Sequence, residues 1–368
     1  MTADTAHWND SDRQCMQRAF VLARRGQYST DPNPRVGCVL YADGQIVAEG
    51  WHARAGGLHA EAHALSQAGA AARGATAYVT LEPCDHHGRT PPCSQALIDA
   101  GVARVVYALD DPYPAVAGKG AARLRAHGIR VEAGLMSAES EALNPGFLKR
   151  MRRGLPYVRV KLAASLDGHT ALASGESRWI TSDVARSDVQ RGRAQSSVVL
   201  SGVGTILADN PALNVRLEGC DRQPLRVVLD SHLRLPPDAR VLQGEGSVLV
   251  LAAVDDADRR LALAAQGAEV VIVPATDARP NLAAVLGLLA ARGANEIWVE
   301  AGPVLAGAFV RERLFDELVI YLAPSLLGSG ARPLLELPAL TSLAARSKLR
   351  FTACQAVGDD LRITAVAG

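Results

Sequence analysis

The sequence predicts an α/β protein built as two domains. Runs of β-branched residues alternate with helical stretches along nearly the whole chain, which implies layered α/β structure. The 368 residues exceed what a single hydrophobic core usually organises. Near residue 150 the texture changes: FLKRMRRGLP is basic and ends in Gly-Leu-Pro, a composition suited to a joint. The expected domains are therefore 1–149 and 150–368.

Ser11 to Gly26 reads as the first helix, with Asp12 as its cap and Met16, Ala19, Phe20 and Ala23 on one face. DPNPRVG must be a loop, because its prolines bar a helix. VGCVLYADGQIVAEG is a hairpin signal, two apolar strands around Asp43-Gly44. HAEAHALSQAGAAARG reads as a second helix ending near Gly74. Strand ATAYVTLEP, helix SQALIDAG, strand ARVVYALDD, helix KGAARLRAHG and the short strand IRVEAG follow. The second series of strands is YVRVKLAASLDG, SSVVLSGVGTIL, PLRVVLDS, GSVLVLAA, AEVVIVP, NEIWVEAGP and DELVIYLAP, with helical stretches between several of them.

Composition excludes several classes. The formal net charge is +1, which argues against a broad basic surface for nucleic acid. No run approaches 18 apolar residues, so no transmembrane helix is expected. MTADTAHWNDSDRQC lacks the basic and apolar regions of a secretory signal. A cytoplasmic protein is expected, where paired cysteines are metal ligands or catalytic groups rather than disulfides. Cys15, Cys38, Cys220 and Cys354 stand alone and read as packing residues.

Chemistry concentrates in His59-Ala60-Glu61 and in LEPCDHHGRTPPC, which carries Cys84 and Cys93. A catalytic zinc takes three protein ligands and leaves a fourth position to water; one histidine and two cysteines meet that count. Residues two apart in a helix interior point far apart, so His59 and Glu61 must lie at the very start of their helix. The pattern follows the H-x-E…P-C-x-x-C signature of zinc nucleobase deaminases, in which the glutamate moves protons and is not a ligand. It departs from it in the spacer: eight residues separate the two cysteines rather than two. Rival ligand sets are His86 or His87 with the cysteines in a structural zinc site, and a two-histidine face made with His63. A tRNA or free-base deaminase with an unrelated second domain is a rival function, as is a regulatory nucleotide-binding protein with structural zinc.

VTLEPCDHHGRTPPC, preceded by LHAEAHAL and DPNPRVGCVL, resembles the bifunctional riboflavin biosynthesis deaminase/reductase family. The second half resembles it too, in KLAASLDGHTALASGESRWITS, GVGTILADNPALNVR, WVEAGPVLAGAF and YLAPSLLGSGA. The resemblance covers nearly the whole chain and is weakest over about residues 235–290. It implies a cytidine-deaminase-like three-layer domain followed by a dihydrofolate-reductase-like domain. It implies zinc on His59, Cys84 and Cys93, with Glu61 as the proton carrier. The first reaction would remove the 2-amino group of 2,5-diamino-6-ribosylamino-4(3H)-pyrimidinone 5′-phosphate; the second would reduce the ribosyl group to ribityl with NADPH. Arg89 and Asn33 are candidates for holding that substrate. NADPH contacts are implied for Ala163, Trp179, Thr205, Asp209, Ser231 and the run Gly302, Pro303, Val304, Leu305, Ala306, Gly307 and Ala308. Substrate contacts are implied for Ser177, Arg193, Leu213, Arg216 and Glu300, the two arginines as forks for phosphate. Lys161 and Asp167 are expected near the same pocket, and Trp179 could equally belong to the core. No GxGxxG is present; the strand NEIWVEA running into GPVLAGAF is the expected phosphate-approach turn. The expected partners are the phosphorylated ribosylaminopyrimidine and further copies of the chain, as a dimer or tetramer.

Overall fold

The computed structural model describes residues 8–85, 91–113 and 116–368. The chain divides into two compact units, the first ending at Arg153 and the second spanning Gly154–Gly368. The expected joint at 149/150 falls inside a helix, Pro145–Arg153, whose whole length stays with the first unit.

In the first unit, α1 (Asp10–Ala23) precedes the hairpin β1 (Gly37–Ala42) and β2 (Gln45–Trp51). Then come α2 (Ala60–Ala68), β3 (Thr76–Val79), α3 (Cys93–Asp99), β4 (Arg104–Tyr107), α4 (Lys119–Ala126), β5 (Arg130–Ala133), α5 (Ser137–Leu143) and α6 (Pro145–Arg153). The hairpin turns where expected, with Asp43 and Gly44 both at positive φ, the backbone a two-residue primed turn needs. The cap of α1 is Asn9 and not Asp12: Asn9 Oδ1 accepts from Asp12 N, while Asp12 sits three residues in and accepts from Asn9 N. Asp12 is drawn inward, accepting from Tyr78 Oη at 2.7 Å and Arg104 Nη1 at 2.6 Å. α2 stops at Ala68, short of Gly74, with Gly69 at φ +52° behind it.

The sheet order is β2-β1-β3-β4-β5, antiparallel across the first three strands and parallel across the last three. Alternation along β3 divides two cores. Ala77 and Val79 pack with α2, α3 and α4, whereas Tyr78 packs with α1. α5 and α6 were not among the expected elements.

The second unit contains β6 (Tyr157–Ser165), β7 (His169–Ala171), α7 (Asp183–Gln195), β8 (Val198–Gly202), α8 (Val203–Asp209), β9 (Leu225–Leu229) and β10 (Val248–Ala252). It continues with α9 (Ala257–Ala265), β11 (Ala268–Ile272), the small hairpin β12 (Ala275–Thr276) and β13 (Arg279–Pro280), α10 (Leu282–Ala291) and β14 (Glu296–Glu300). α11 (Pro303–Arg311), β15 (Glu317–Ala323), β16 (Arg332–Pro333), β17 (Leu349–Val357) and β18 (Asp360–Ala367) complete it. One nine-stranded sheet runs β11-β10-β9-β8-β14-β6-β15-β18-β17, parallel up to β15 and antiparallel beyond it. Every expected strand of this half is present. The β17–β18 hairpin is additional, and its outer strand is exposed along most of its length.

Candidate active sites

α2 carries the first site. His59 is its N-cap, in extended backbone, and Glu61 lies in its first turn. That looser start is what lets side chains two residues apart face one point. The helix can lie directly on β2 because Gly50 has no side chain: a Cβ there would stand 2.2 Å from Ala60 O and 2.5 Å from Ala64 N. Cys93 opens α3, and its backbone N–H points to Cys84 Sγ at 3.5 Å. His59 Nδ1 lies 3.2 Å from Cys93 Sγ and 3.5 Å from Cys84 Sγ. The donor atoms of these three residues all fall within 4.8 Å of one another, the only such group among the described residues.

The electrostatics suit a cation. The Cys93 thiol hydrogen-bonds to Cys84, which holds Cys84 near a pKa of about 4 as a thiolate, with His59 assisting. That same bond and burial push Cys93 up. The pair thus carries one thiolate, and a metal ion would displace the remaining proton. Glu61 is buried, and burial together with the nearby Cys84 charge raises its pKa to about 7. A carboxyl poised there can both take and give a proton at neutral pH. One imidazole nitrogen, two soft sulfurs and a separate buried carboxyl fit zinc in a catalytic rather than a structural site.

His63 is turned away from this cluster, with its ring 4.7 Å from that of Trp51. His86, His87 and Arg89 lie outside the described residues. Asn33 approaches the site through a residue that sequence reasoning missed. His52 is buried, its ring edge-on to His59 at 5.4 Å; its Nδ1 meets Leu58 O at 2.9 Å, and its Nε2 lies 3.1 Å from Asn33 Nδ2. Because Leu58 O can only accept, His52 carries its proton on Nδ1 and Asn33 donates to Nε2.

Glu82 was also missed. It is buried beside Pro83 and accepts from Gly118 N at 3.0 Å, Ala121 N at 3.1 Å and Asp111 N at 3.3 Å. It therefore fastens the Cys84 segment to the start of α4. No spacing rule announces such a residue; a glutamate next to Pro-Cys is its only trace in the sequence.

The second unit holds a cavity of about 1580 Å³. The C-terminal ends of β6, β8, β9 and β14 open on it, the usual place for a ligand in a parallel sheet. Ala163, Ser177, Trp179, Arg193, Thr205, Asp209, Leu213, Arg216, Ser231, Glu300, Gly302, Pro303, Val304, Leu305 and Ala308 all line it, as does Lys161. Gly302 caps α11, with Pro303 at its first position, and Gly302 N donates to Thr205 Oγ1 at 3.3 Å.

Several expectations need correction. Ala306 is fully buried in the sheet core, and Gly307 lies against backbone, where a Cβ would stand 2.2 Å from Glu336 O; neither lines the cavity. Asp167 does not line it either, because its carboxylate accepts from Leu327 N, Gly328 N and Ser165 Oγ. Trp179 is no core residue: it is 68 % exposed, with the Arg186 guanidinium 4.2 Å from its ring. Among the lone cysteines, Cys354 is exposed rather than packed. Arg193 is not a free phosphate fork. Its Nε and Nη2 donate to the two oxygens of Glu300 at 2.5 and 2.9 Å, and its Nη1 donates to Asn214 O. Burial alone would raise Glu300, but Arg193, then Lys161 and the Trp298 indole, bring it down to about 2.

Comparison with known proteins matches both halves. The family model for the RibD C-terminal domain matches residues 156–363. That for the cytidine and deoxycytidylate deaminase zinc-binding region matches residues 9–109, which include His59, Glu61, Cys84 and Cys93. The riboflavin biosynthesis protein RibD of Escherichia coli (strain K12) is 50 % identical over 362 residues, covering 95 % of this chain and 98 % of the other. That of Haemophilus influenzae is 48 % identical over 368 residues, covering 96 % and 97 %. Among solved structures, Acinetobacter baumannii RibD superposes with a TM-score of 0.91 at 44 % identity, covering 97 % of this chain and 99 % of that one. A diaminohydroxyphosphoribosylaminopyrimidine deaminase/5-amino-6-(5-phosphoribosylamino)uracil reductase from Thermotoga maritima superposes with a TM-score of 0.86 at 32 % identity, covering 97 % and 99 %.

Proposed function

The chain belongs to the RibD family of bifunctional riboflavin biosynthesis enzymes, and from that premise we propose how its residues divide the two reactions. A cytidine-deaminase-like domain with zinc is joined to a dihydrofolate-reductase-like domain that uses NADPH, so one chain is both deaminase and reductase. The assigned substrate is the diaminohydroxyphosphoribosylaminopyrimidine for which the Thermotoga maritima relative is named, carried over to this chain. The convergence of His59, Cys84 and Cys93 beside a buried Glu61 is the observation that carries the deaminase reading.

Zinc held by His59, Cys84 and Cys93 supplies the Lewis acidity that makes water nucleophilic at neutral pH. Glu61 then takes a proton from the attacking water and passes it to the ring nitrogen beside the amino-bearing carbon. It serves the departing ammonia in the same way. Asn33, its amide held by His52, is assigned to the base or sugar, and Arg89 stays a candidate for the phosphate.

In the reductase cavity NADPH supplies the hydride. Gly302, Pro303, Val304 and Leu305, at the start of α11, and Thr205, Asp209, Ser231, Ala163 and Trp179 line the cavity and would hold the cofactor. Ser177, Leu213 and Arg216 are assigned to substrate. The Arg193–Glu300 pair acts as one rigid floor beneath it, and Lys161 lies next to Glu300 in the strand register. An ammonium there can donate the proton that accompanies hydride delivery to the ribosyl carbon.

We also assign the chain to the cytoplasm, supported by six cysteines that form no disulfide, and to a homo-oligomer, supported by the edge strand β17 with Leu349 and Phe351 exposed. No helix among the described residues is long and apolar enough to cross a membrane. One assay tests the main reading: zinc content, ammonia release from the diaminopyrimidine phosphate, and NADPH oxidation that follows it. A zinc-loaded chain that releases no ammonia, or a chain that oxidises no NADPH with the deaminated product, would overturn the corresponding half.

A further inference from the structure

We propose that Arg240 completes, with Arg216, a two-guanidinium clamp that grips the phosphate ester of the reductase substrate. This rests on the reading of the cavity given above, in which Arg216 marks the substrate end. Nine arginines line that cavity, and the one most deeply buried, Arg193, is fully committed to Glu300 and Asn214. The phosphate therefore needs other cations.

Arg240 is built to point into the cavity. It opens a single 3₁₀ turn, Arg240–Leu242, between two core residues: Ala239 and Val241 are buried while Arg240 is exposed and lines the cavity. Its backbone is anchored, since Arg240 N donates to Asn210 Oδ1 at 2.8 Å. Asn210 in turn caps the end of α8 in left-handed backbone. Arg216 is fixed from the other side. Its N–H donates to Gln190 Oε1 at 3.0 Å, its Nη1 donates to Asn214 Oδ1 at 2.9 Å, and Val215 beside it is held through N and O by the Gln223 amide.

Neither guanidinium has a carboxylate within ion-pair distance among the described residues. Both line the same cavity, and burial, then the like charges of Arg193 and Arg240, push Arg216 down against the pull of Glu300. Two guanidinium groups lining one cavity, each anchored through its backbone and neither in an ion pair, are poised for an anion. A phosphate monoester brings a charge of about −1.5 to −2 and three acceptor oxygens, enough for two forks.

The test uses the full chain with NADPH and two substrates: the deaminated ribosylaminopyrimidine phosphate and its dephosphorylated counterpart. Arg240→Ala should raise KM for the phosphorylated substrate about ten- to hundred-fold, the scale of one lost charged hydrogen bond, while kcat at saturation changes little. KM for NADPH and for the dephosphorylated substrate should hold, inorganic phosphate should inhibit the variant more weakly, and Arg240→Lys should recover part of the loss. Parallel rises for both substrates would reveal a merely structural role and overturn the clamp. A rise in KM for NADPH instead would place Arg240 on the cofactor and overturn it equally. If Arg216→Ala raises the phosphorylated-substrate KM and Arg240→Ala does not, the clamp alone falls. If neither does, the assignment of this end to substrate falls as well.

Discussion

Gly120→Ala should weaken zinc binding at a site whose ligands it never touches. Gly120 lies in the first turn of α4, and a Cβ there would stand 1.8 Å from Pro83 O and 3.0 Å from Pro83 C. Ordinary contacts begin near 3.4 Å, so the gap must open by more than about 1 Å. If α4 recedes, Gly118 N and Ala121 N leave Glu82, and lost bonds to a charged acceptor cost about 1.5–3 kcal/mol each. If instead the Pro83 carbonyl recedes, it carries Cys84, the next residue. Ligand distances tolerate only about 0.2 Å, so that path also spoils the metal site. Changes just outside the ligand shell typically cost about ten- to hundred-fold in metal affinity. The assay is competition with a chromophoric chelator, read beside ammonia release and NADPH oxidation on the same sample. Reduced zinc affinity and deaminase activity with an intact reductase is the expected result. Unchanged zinc affinity would refute the idea that α4 sets the position of Cys84.

Glu61→Gln should keep zinc and the reductase while ammonia release falls by a factor of about 10² or more, since the amide cannot carry the proton; metal analysis and both assays check this. Glu300→Gln should cost the second unit about 3–5 kcal/mol, seen as a lower Tm, because Arg193 stays buried with half its partner gone. The Glu300 carboxyl sits at about 2 in the fold against an ordinary 4.5, so its stabilisation is complete above about pH 4.5 and is lost as pH falls through about 2. Acid unfolding of the wild type should show that dependence, and Glu300→Gln should flatten it. Gly287→Ala, in the interior of α10 with nothing within 4 Å of the new Cβ, should raise Tm, by up to about 1 kcal/mol of stability.

The two sites were unequally legible in the sequence, and the difference is physical. A metal site demands particular donor atoms at short range, so His59, Glu61, Cys84 and Cys93 advertise themselves by type and spacing. What holds them does not. Glu82 meets Gly118 across 36 residues and His52 meets Asn33 across 19, so only folding brings them together. Arg193 shows the limit most sharply. Its type suggested a phosphate fork, yet the guanidinium is taken by Glu300, 107 residues away. A residue type states what a side chain can bind, while the fold decides which partner reaches it first. The β17–β18 hairpin escaped for another reason: strand periodicity exists only where one face is buried, and β17 is exposed along most of its length. The same argument bears on Arg240. Nothing in VLDSHLRLPPDARVLQG distinguishes it from a solvated surface charge. It becomes a candidate only because Ala239 and Val241 are buried on either side and Asn210 fixes its backbone, which turns an ordinary arginine toward the cavity that Arg216 also lines.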